Sequence, residues 1–197
     1  MKQYRVLWTV ILTTLLVSCS SQMAPIHYYR LTDSQSMPVL PSQHEKVALL
    51  LIEPVELAEF LTTGGLVMQT KNHQLQLSNE ARWAENLPQA INDNLLINLA
   101  SQLPDVNVEQ LTPIWQQQPH LLLQLQFTDF EVTAQHETVT AGQYWVFNQQ
   151  HQLITHQRFL IKLALTEDGY EPVVSQLAHS LQQLSHLIAE KLSELTH

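Results

Sequence analysis

The chain has 197 residues, of which 9 are Lys or Arg and 18 are Asp or Glu, so its formal charge at pH 7 is -9. A surface with this charge is repelled by nucleic acid and by anionic lipid headgroups, which excludes nucleic-acid binding and purely electrostatic attachment to a membrane. Only 4 glycines and 1 cysteine are present, which argues against most phosphate-cradling loops and rules out an internal disulfide.

The amino end predicts a lipoprotein signal peptide over residues 1–18. Lys2 and Arg5 precede an apolar run of about a dozen residues, too short to span a bilayer as a helix. Leu16-Val17-Ser18-Cys19 resembles a bacterial lipobox, which is cleaved between Ser18 and Cys19. We therefore expect Cys19 to carry a covalent S-diacylglycerol and an N-acyl chain, and we expect no other cofactor. An ordinary signal peptide with an incidental cysteine is the alternative.

The first half of the mature chain predicts mainly strands. Residues 19–25 form a short tether, and residues 26–197 are long enough for a single domain with its own core. A first strand is predicted over 26–31 and a buried strand over 47–55, separated by a loop with two prolines. Gly64-Gly65 then opens a small hairpin with arms at 66–70 and 74–77.

Two amphipathic helices are predicted from apolar residues that recur about every four positions. The first lies between Glu80 and Leu103, with Trp83 on its apolar stripe. Pro88 fits its first turn, and Asn86 is a candidate N-cap. The second helix follows Pro172 and runs to about Leu195.

The stretch between the helices predicts long antiparallel strands. Alternation over 120–133, 137–147 and 153–165 indicates two or three of them, and a phase shift between Phe127 and Phe130 indicates a β-bulge or a twist. The order of elements predicts an α+β fold: a two-layer sandwich of a mostly antiparallel sheet with two long amphipathic helices packed on one face.

Several segments, taken in order, carry a resemblance to a known family. The lipobox is followed by Tyr28-Tyr29-Arg30-Leu31 and Ile52-Glu53-Pro54-Val55-Glu56-Leu57, and then by Glu80-Ala81-Arg82-Trp83-Ala84-Glu85-Asn86-Leu87 and the closing helix 181–189. This order resembles the ABC-type transport auxiliary lipoproteins, including the paraquat-inducible protein C group. Asn86 stands where that family usually has proline.

The resemblance implies a non-enzymatic lipoprotein on the periplasmic face of the outer membrane. Its partners would be a periplasm-spanning protein with mammalian-cell-entry (MCE) domains and, indirectly, an inner-membrane transporter subunit. The process would be lipid transport between the membranes and the maintenance of envelope integrity. Ser20, where aspartate typically favours inner-membrane retention, is consistent with outer-membrane sorting. A hollow partner favours a homo-oligomeric ring.

Four aromatic residues are candidates for a partner interface because aromatic side chains are enriched at binding hot spots. They are Tyr28, Trp115, Tyr144 and Trp145, and core burial is the alternative for Trp145. The 10 histidines lack an HExxH pattern, so we predict no metal site. No GxSxG motif is present, and we predict no catalytic residue. The alternative functions are an assembly factor for an outer-membrane β-barrel and, less favoured, a periplasmic lipid hydrolase.

Overall fold

The computed structural model describes residues 25–31, 48–71 and 74–195. The predicted signal peptide, almost all of the tether, Ser18 and Cys19 lie outside the described residues, as does the predicted loop over 32–46. The strands are β1 His27–Tyr29, β2 Ala48–Ile52, β3 Glu56–Leu57, β4 Gly65–Gln69, β5 Leu75–Trp83, β6 Val106–Gln110, β7 Leu121–Thr133, β8 Glu137–Asn148 and β9 Leu153–Ala164. The helices are α1 Leu87–Gln102 and α2 Tyr170–Leu195.

Strand β7 is the centre of the sheet. Strand β8 pairs antiparallel with it over residues 121–132, and β9 pairs antiparallel with β8. Because β8 takes one whole edge of β7, the short strands β2, β3 and β4 share the other edge, all parallel to β7. Strand β6 extends the sheet from β2, while β5 and then β1 extend it from β4. The long pairs are therefore antiparallel and most of the short ones parallel, in one mixed sheet.

Both helices cover the same face of this sheet. Leu123, Leu125 and Phe127 of β7 belong to one buried cluster with the inward residues of α1 and α2. On the opposite face the buried apolar cluster is much smaller: Leu49, Leu51 and Leu122, covered by the partly buried side chains Leu111, Trp115 and Phe147. The α+β class is therefore confirmed.

The first helix begins later than its apolar periodicity predicted. Residues from Glu80 to Trp83 continue β5, where Trp83 lies opposite Tyr29 of β1. Pairing with two neighbouring strands therefore overrides the helical pattern there. Trp83 is still buried in the shared core. Asn86 is confirmed as the N-cap, since its side chain accepts a hydrogen bond from the Gln89 N–H at 3.3 Å, and Pro88 lies in the first turn.

The predicted bulge is present in β7. Its register with β8 shifts between Phe127 and Asp129, and Gly142 of β8 lies opposite Phe127. A Cβ atom on Gly142 would lie 2.1 Å from the carbonyl oxygen of Gln126 and 2.9 Å from Cζ of Phe159. Glycine is therefore required here for the two strands to approach.

Replacing Gly142 with alanine should destabilise the domain by about 1–3 kcal/mol, because the added methyl group overlaps backbone. Thermal unfolding should show a lower Tm for Gly142→Ala. Adding Phe159→Leu should not restore it, since the closer contact is with the Gln126 carbonyl. A Tm equal to that of the native protein would contradict this account of the strand approach.

Candidate functional site

The side of β7, β8 and β9 that faces away from the helices is here called the open face. Cross-strand register places Trp145 of β8 between Gln124 of β7 and His156 of β9. The rings of Trp145 and His156 are stacked, with centroids 5.2 Å apart and an interplanar angle of 6°. Tryptophan therefore lies flat at the middle of this surface instead of projecting as a mobile side chain.

The structure separates the four predicted interface aromatics. Trp115 and Trp145 are both half-buried; Trp145 lies on the open face, and Trp115 packs on the leucine cluster on the same side of the sheet. Tyr28 is 64% exposed but lies on β1, at the opposite edge of the sheet. Tyr144 is only 4% exposed and belongs to the core, so its assignment to a surface is corrected. Burial, with Glu194 nearby, raises the pKa of Tyr144.

A line of hydrogen bonds crosses the open face from β9 to β3. His156 Nε2 lies 3.1 Å from Gln143 Oε1, and Gln143 Nε2 donates to Gln126 Oε1 at 2.8 Å. Gln126 Nε2 in turn donates to a carboxylate oxygen of Glu56 at 3.5 Å. An ionised carboxylate can only accept hydrogen bonds, so each glutamine amide in the line donates in the direction of Glu56. At the other end, His156 Nε2 is therefore the donor to the Gln143 oxygen. The line fixes the imidazole against which Trp145 stacks.

These groups suit binding more than catalysis. Aromatic rings supply rigid apolar contact area, and glutamine amides supply adaptable donors and acceptors. Leu160, on β9 of the same face, is 63% exposed, which adds apolar area at its rim. Sequence reasoning found Trp115 and Trp145, but it missed His156 and the glutamines because only the strand register brings them together.

The histidines do not gather into a metal centre in the part of the chain that the structure describes. No three His, Cys, Asp or Glu side chains there come close enough to hold an ion. His186 of α2 instead contacts Gln102 of α1, with Nδ1 3.1 Å from the amide oxygen. His151 occupies the β8–β9 turn with a positive φ of 55°.

Glu131 of β7 is an unexpected buried acid. Its side chain is 2% exposed, faces Val139 of β8 across the strand pair, and has no hydrogen-bond partner for Oε2 among the residues that the structure describes. Burial, and to a lesser extent the nearby Asp129 carboxylate, raise the pKa of Glu131 from 4.5 to about 7. The folded protein therefore holds this proton to a higher pH than the unfolded chain does.

The contribution of Glu131 to stability should fall as the pH rises from about 4.5 to about 7, because in that interval the unfolded chain ionises this carboxyl while the folded protein keeps it protonated. Glu131→Gln remains neutral, so the dependence of Tm on pH in thermal melts across that interval should be flatter for this variant. Glu80→Gln, which alters an exposed carboxylate on β5, should keep the native slope. Parallel slopes for the native protein and Glu131→Gln would show that Glu131 does not titrate in this range.

Among residues 25–31, 48–71 and 74–195, no helix has both the length and the apolar character needed to cross a bilayer.

Comparison with known proteins gives one family and several relatives. The model of the family described as "ABC-type transport auxiliary lipoprotein component" matches residues 29–189. The intermembrane transport lipoprotein PqiC of Escherichia coli K12 is 30% identical over 194 residues, covering 95% of this chain and 98% of that protein. PqiC of Shigella flexneri gives the same values.

Two solved structures share the fold. An uncharacterized protein is 28% identical with a TM-score of 0.72, and the match covers 85% of this chain and 99% of that one. A protein from Xanthomonas campestris is 14% identical with a TM-score of 0.64, covering 86% and 99% respectively, and this likeness concerns the fold alone.

Proposed function

The chain belongs to the family of ABC-type transport auxiliary lipoprotein components, and we propose on that premise that it is a non-enzymatic accessory lipoprotein of an MCE-type intermembrane lipid transport system. The end-to-end match to relatives named intermembrane transport lipoprotein supports this role. In the proposal the domain is held on the periplasmic face of the outer membrane. There it docks a periplasm-spanning MCE-domain protein and supports envelope integrity.

Attachment would depend on the lipid at Cys19. The net charge of -9 gives no electrostatic help at an anionic surface, so acyl chains must supply the binding free energy. Each buried CH₂ contributes about 0.8 kcal/mol, and several chains are needed for stable anchoring. A tether over residues 19–25 would reach roughly 25 Å at full extension, which keeps the domain close to the bilayer.

The open face is the proposed contact with the MCE-domain partner, and its stacked Trp145 is the observation that carries this part. The stack and the hydrogen-bond line order Trp145 before binding, which lowers the entropy lost when a partner covers it. Trp115 extends the same surface. Anchoring raises the local concentration of the domain, so moderate contacts suffice. Assembly into a ring would repeat this surface around a hollow partner.

Cys19→Ala should move the protein from the membrane fraction to the soluble periplasmic fraction, because no lipid can then be attached. Immunoblots of separated membrane and periplasmic fractions measure this change. Ser20→Asp is the matched comparison: it keeps the anchor and should shift the protein towards the inner membrane. Cys19→Ala protein that stays in the outer membrane with full function would contradict lipid anchoring.

Trp145→Ala should reduce co-purification of the MCE-domain protein with the tagged lipoprotein. Loss of a central aromatic contact costs about 2 kcal/mol or more, which corresponds to roughly thirty-fold in affinity. Trp115→Ala should weaken capture less, because Trp115 packs on the leucine cluster, away from the stack and the hydrogen-bond line at the middle of the open face. Leu75→Ala, an exposed change on β5, is the control, and Tyr28→Ala tests the opposite edge.

Other results would favour the other functions. Co-purification of an outer-membrane β-barrel in place of an MCE-domain protein would support an assembly factor. Turnover of lipid or ester substrates that a single substitution abolishes would support a hydrolase. An operon that also encodes an MCE-domain protein would support the proposed system.

A further inference from the structure

Strand β9 presents a long unpaired edge. In the described part of the chain it pairs with β8 and with no other strand, although it runs for 12 residues. About half of the N–H and C=O groups of such an edge strand point away from the sheet and can pair with another chain. We propose that this edge binds an extended peptide segment, in which acidic and apolar residues alternate, by adding it as a further strand.

The positive charge of β9 favours an acidic peptide at its edge. Strand β9 carries His156, Arg158 and Lys162 and has no Asp or Glu, although the chain as a whole is strongly acidic. Lys162 bonds to Glu137 at 3.0 Å, whereas Arg158 is exposed and forms no ion pair with any residue that the structure describes. An acidic side chain on an added strand would therefore find an unpaired guanidinium.

A second copy of β9 fits this edge poorly. Two β9 strands paired antiparallel and centred on Leu160 would set Arg158 of one copy opposite Lys162 of the other. Like charges placed directly across a strand pair are destabilising. The charge pattern therefore favours a different, acidic segment over self-pairing.

Both sides of the edge offer contacts for alternating side chains. Towards the helices, a groove of about 250 Å³ separates β9 from α2, with Phe159 and Tyr144 among its lining and Leu187 at 46% exposure beside them. Glu190 and Glu194 of α2 also line this groove, so the apolar side chains of an added strand would face it and the acidic ones would lie on the open face, on the side of Arg158. Towards the open face, Leu160 is 63% exposed. Successive side chains of a strand point to opposite faces, so an added strand would place residues alternately in the groove and beside Leu160.

The backbone of β9 favours a peptide over the bilayer, because its unpaired N–H and C=O groups can pair with an extended chain. Residue 25, after the predicted tether, leads into β1, and the strand order from β1 to β9 runs through β5, β4, β7 and β8. Five strand spacings amount to about 24 Å across the sheet. The β9 edge therefore lies at the other side of the sheet from the point where a tether would enter. This inference rests on the edge and its charges, and it does not require the proposed function.

The test uses a fluorescent synthetic peptide in which valine alternates with glutamate. Its binding to the full-length lipoprotein is measured in detergent, with empty micelles as the blank. The matched peptide alternates valine with lysine. Fluorescence anisotropy should show binding of the glutamate peptide alone. Hydrogen–deuterium exchange should then show new protection on β9. Absence of binding would overturn the proposal and would identify the basic residues as protection against edge pairing. Protection elsewhere, with none on β9, would also overturn it.

Arg158→Glu should lower the affinity for the glutamate peptide by about five-fold or more, because it removes one exposed ion pair and adds a contact between like charges, and it should raise the affinity for the lysine peptide. Arg82→Glu makes the same change on an exposed residue of β5 and should leave both affinities unaltered. Arg158→Gln should give an intermediate affinity, and thermal melts check that each variant is folded. Equal effects of Arg82→Glu and Arg158→Glu would show that net charge, and not this edge, governs binding.

Discussion

The close approach of β7 and β8 is the constraint on which the rest of the molecule depends. Gly142 lets the bulged part of β7 come near its partner, with the space for a Cβ taken by the Gln126 carbonyl. After the bulge, Phe130 returns to the helix side, where it meets Phe127 edge-on with ring centroids 6.3 Å apart. The same strand thereby supplies both the floor of the helix-covered core and the polar residues of the open face.

The sequence predicted those elements in which local signals agree. At Asn86 and Pro88 a cap residue and a helix-compatible proline coincide, and the helix begins there. After Phe127 the change of apolar phase indicates a bulge or a twist, and the register shift shows that it is a bulge. Trp83 shows the opposite case, because a strand residue buried beneath a helix happens to continue the four-residue spacing of that helix. The pairing of β5 with β1 and β4 decides its state, and β1 lies more than fifty residues earlier in the chain.

The candidate site was predictable only in part, because its residues are brought together by the pairing of strands that are distant in sequence. Alternation requires Tyr144 and Trp145 to point to opposite faces, but it does not say which face the helices cover. The hydrogen-bond line from His156 through Gln143 and Gln126 depends on the registers of three strand pairs, and each residue alone looks like an ordinary polar strand residue. Glu131 likewise follows a polar–apolar alternation that gives no sign of its burial or of its raised pKa.

The parallel arrangement of β2, β3 and β4 along β7 has a consequence for the order in which the chain can fold. These strands emerge first from a ribosome or a translocation channel, yet each pairs with β7, which is made later. Strand β2 cannot pair until β6 and β7, which both follow it in the sequence, have been made. Strands β2, β3 and β4 therefore cannot complete their pairing with β7 until residue 133 has been made. Distant pairings of this kind slow folding, so the chain stays uncompacted for longer than one whose strands pair with their neighbours in sequence.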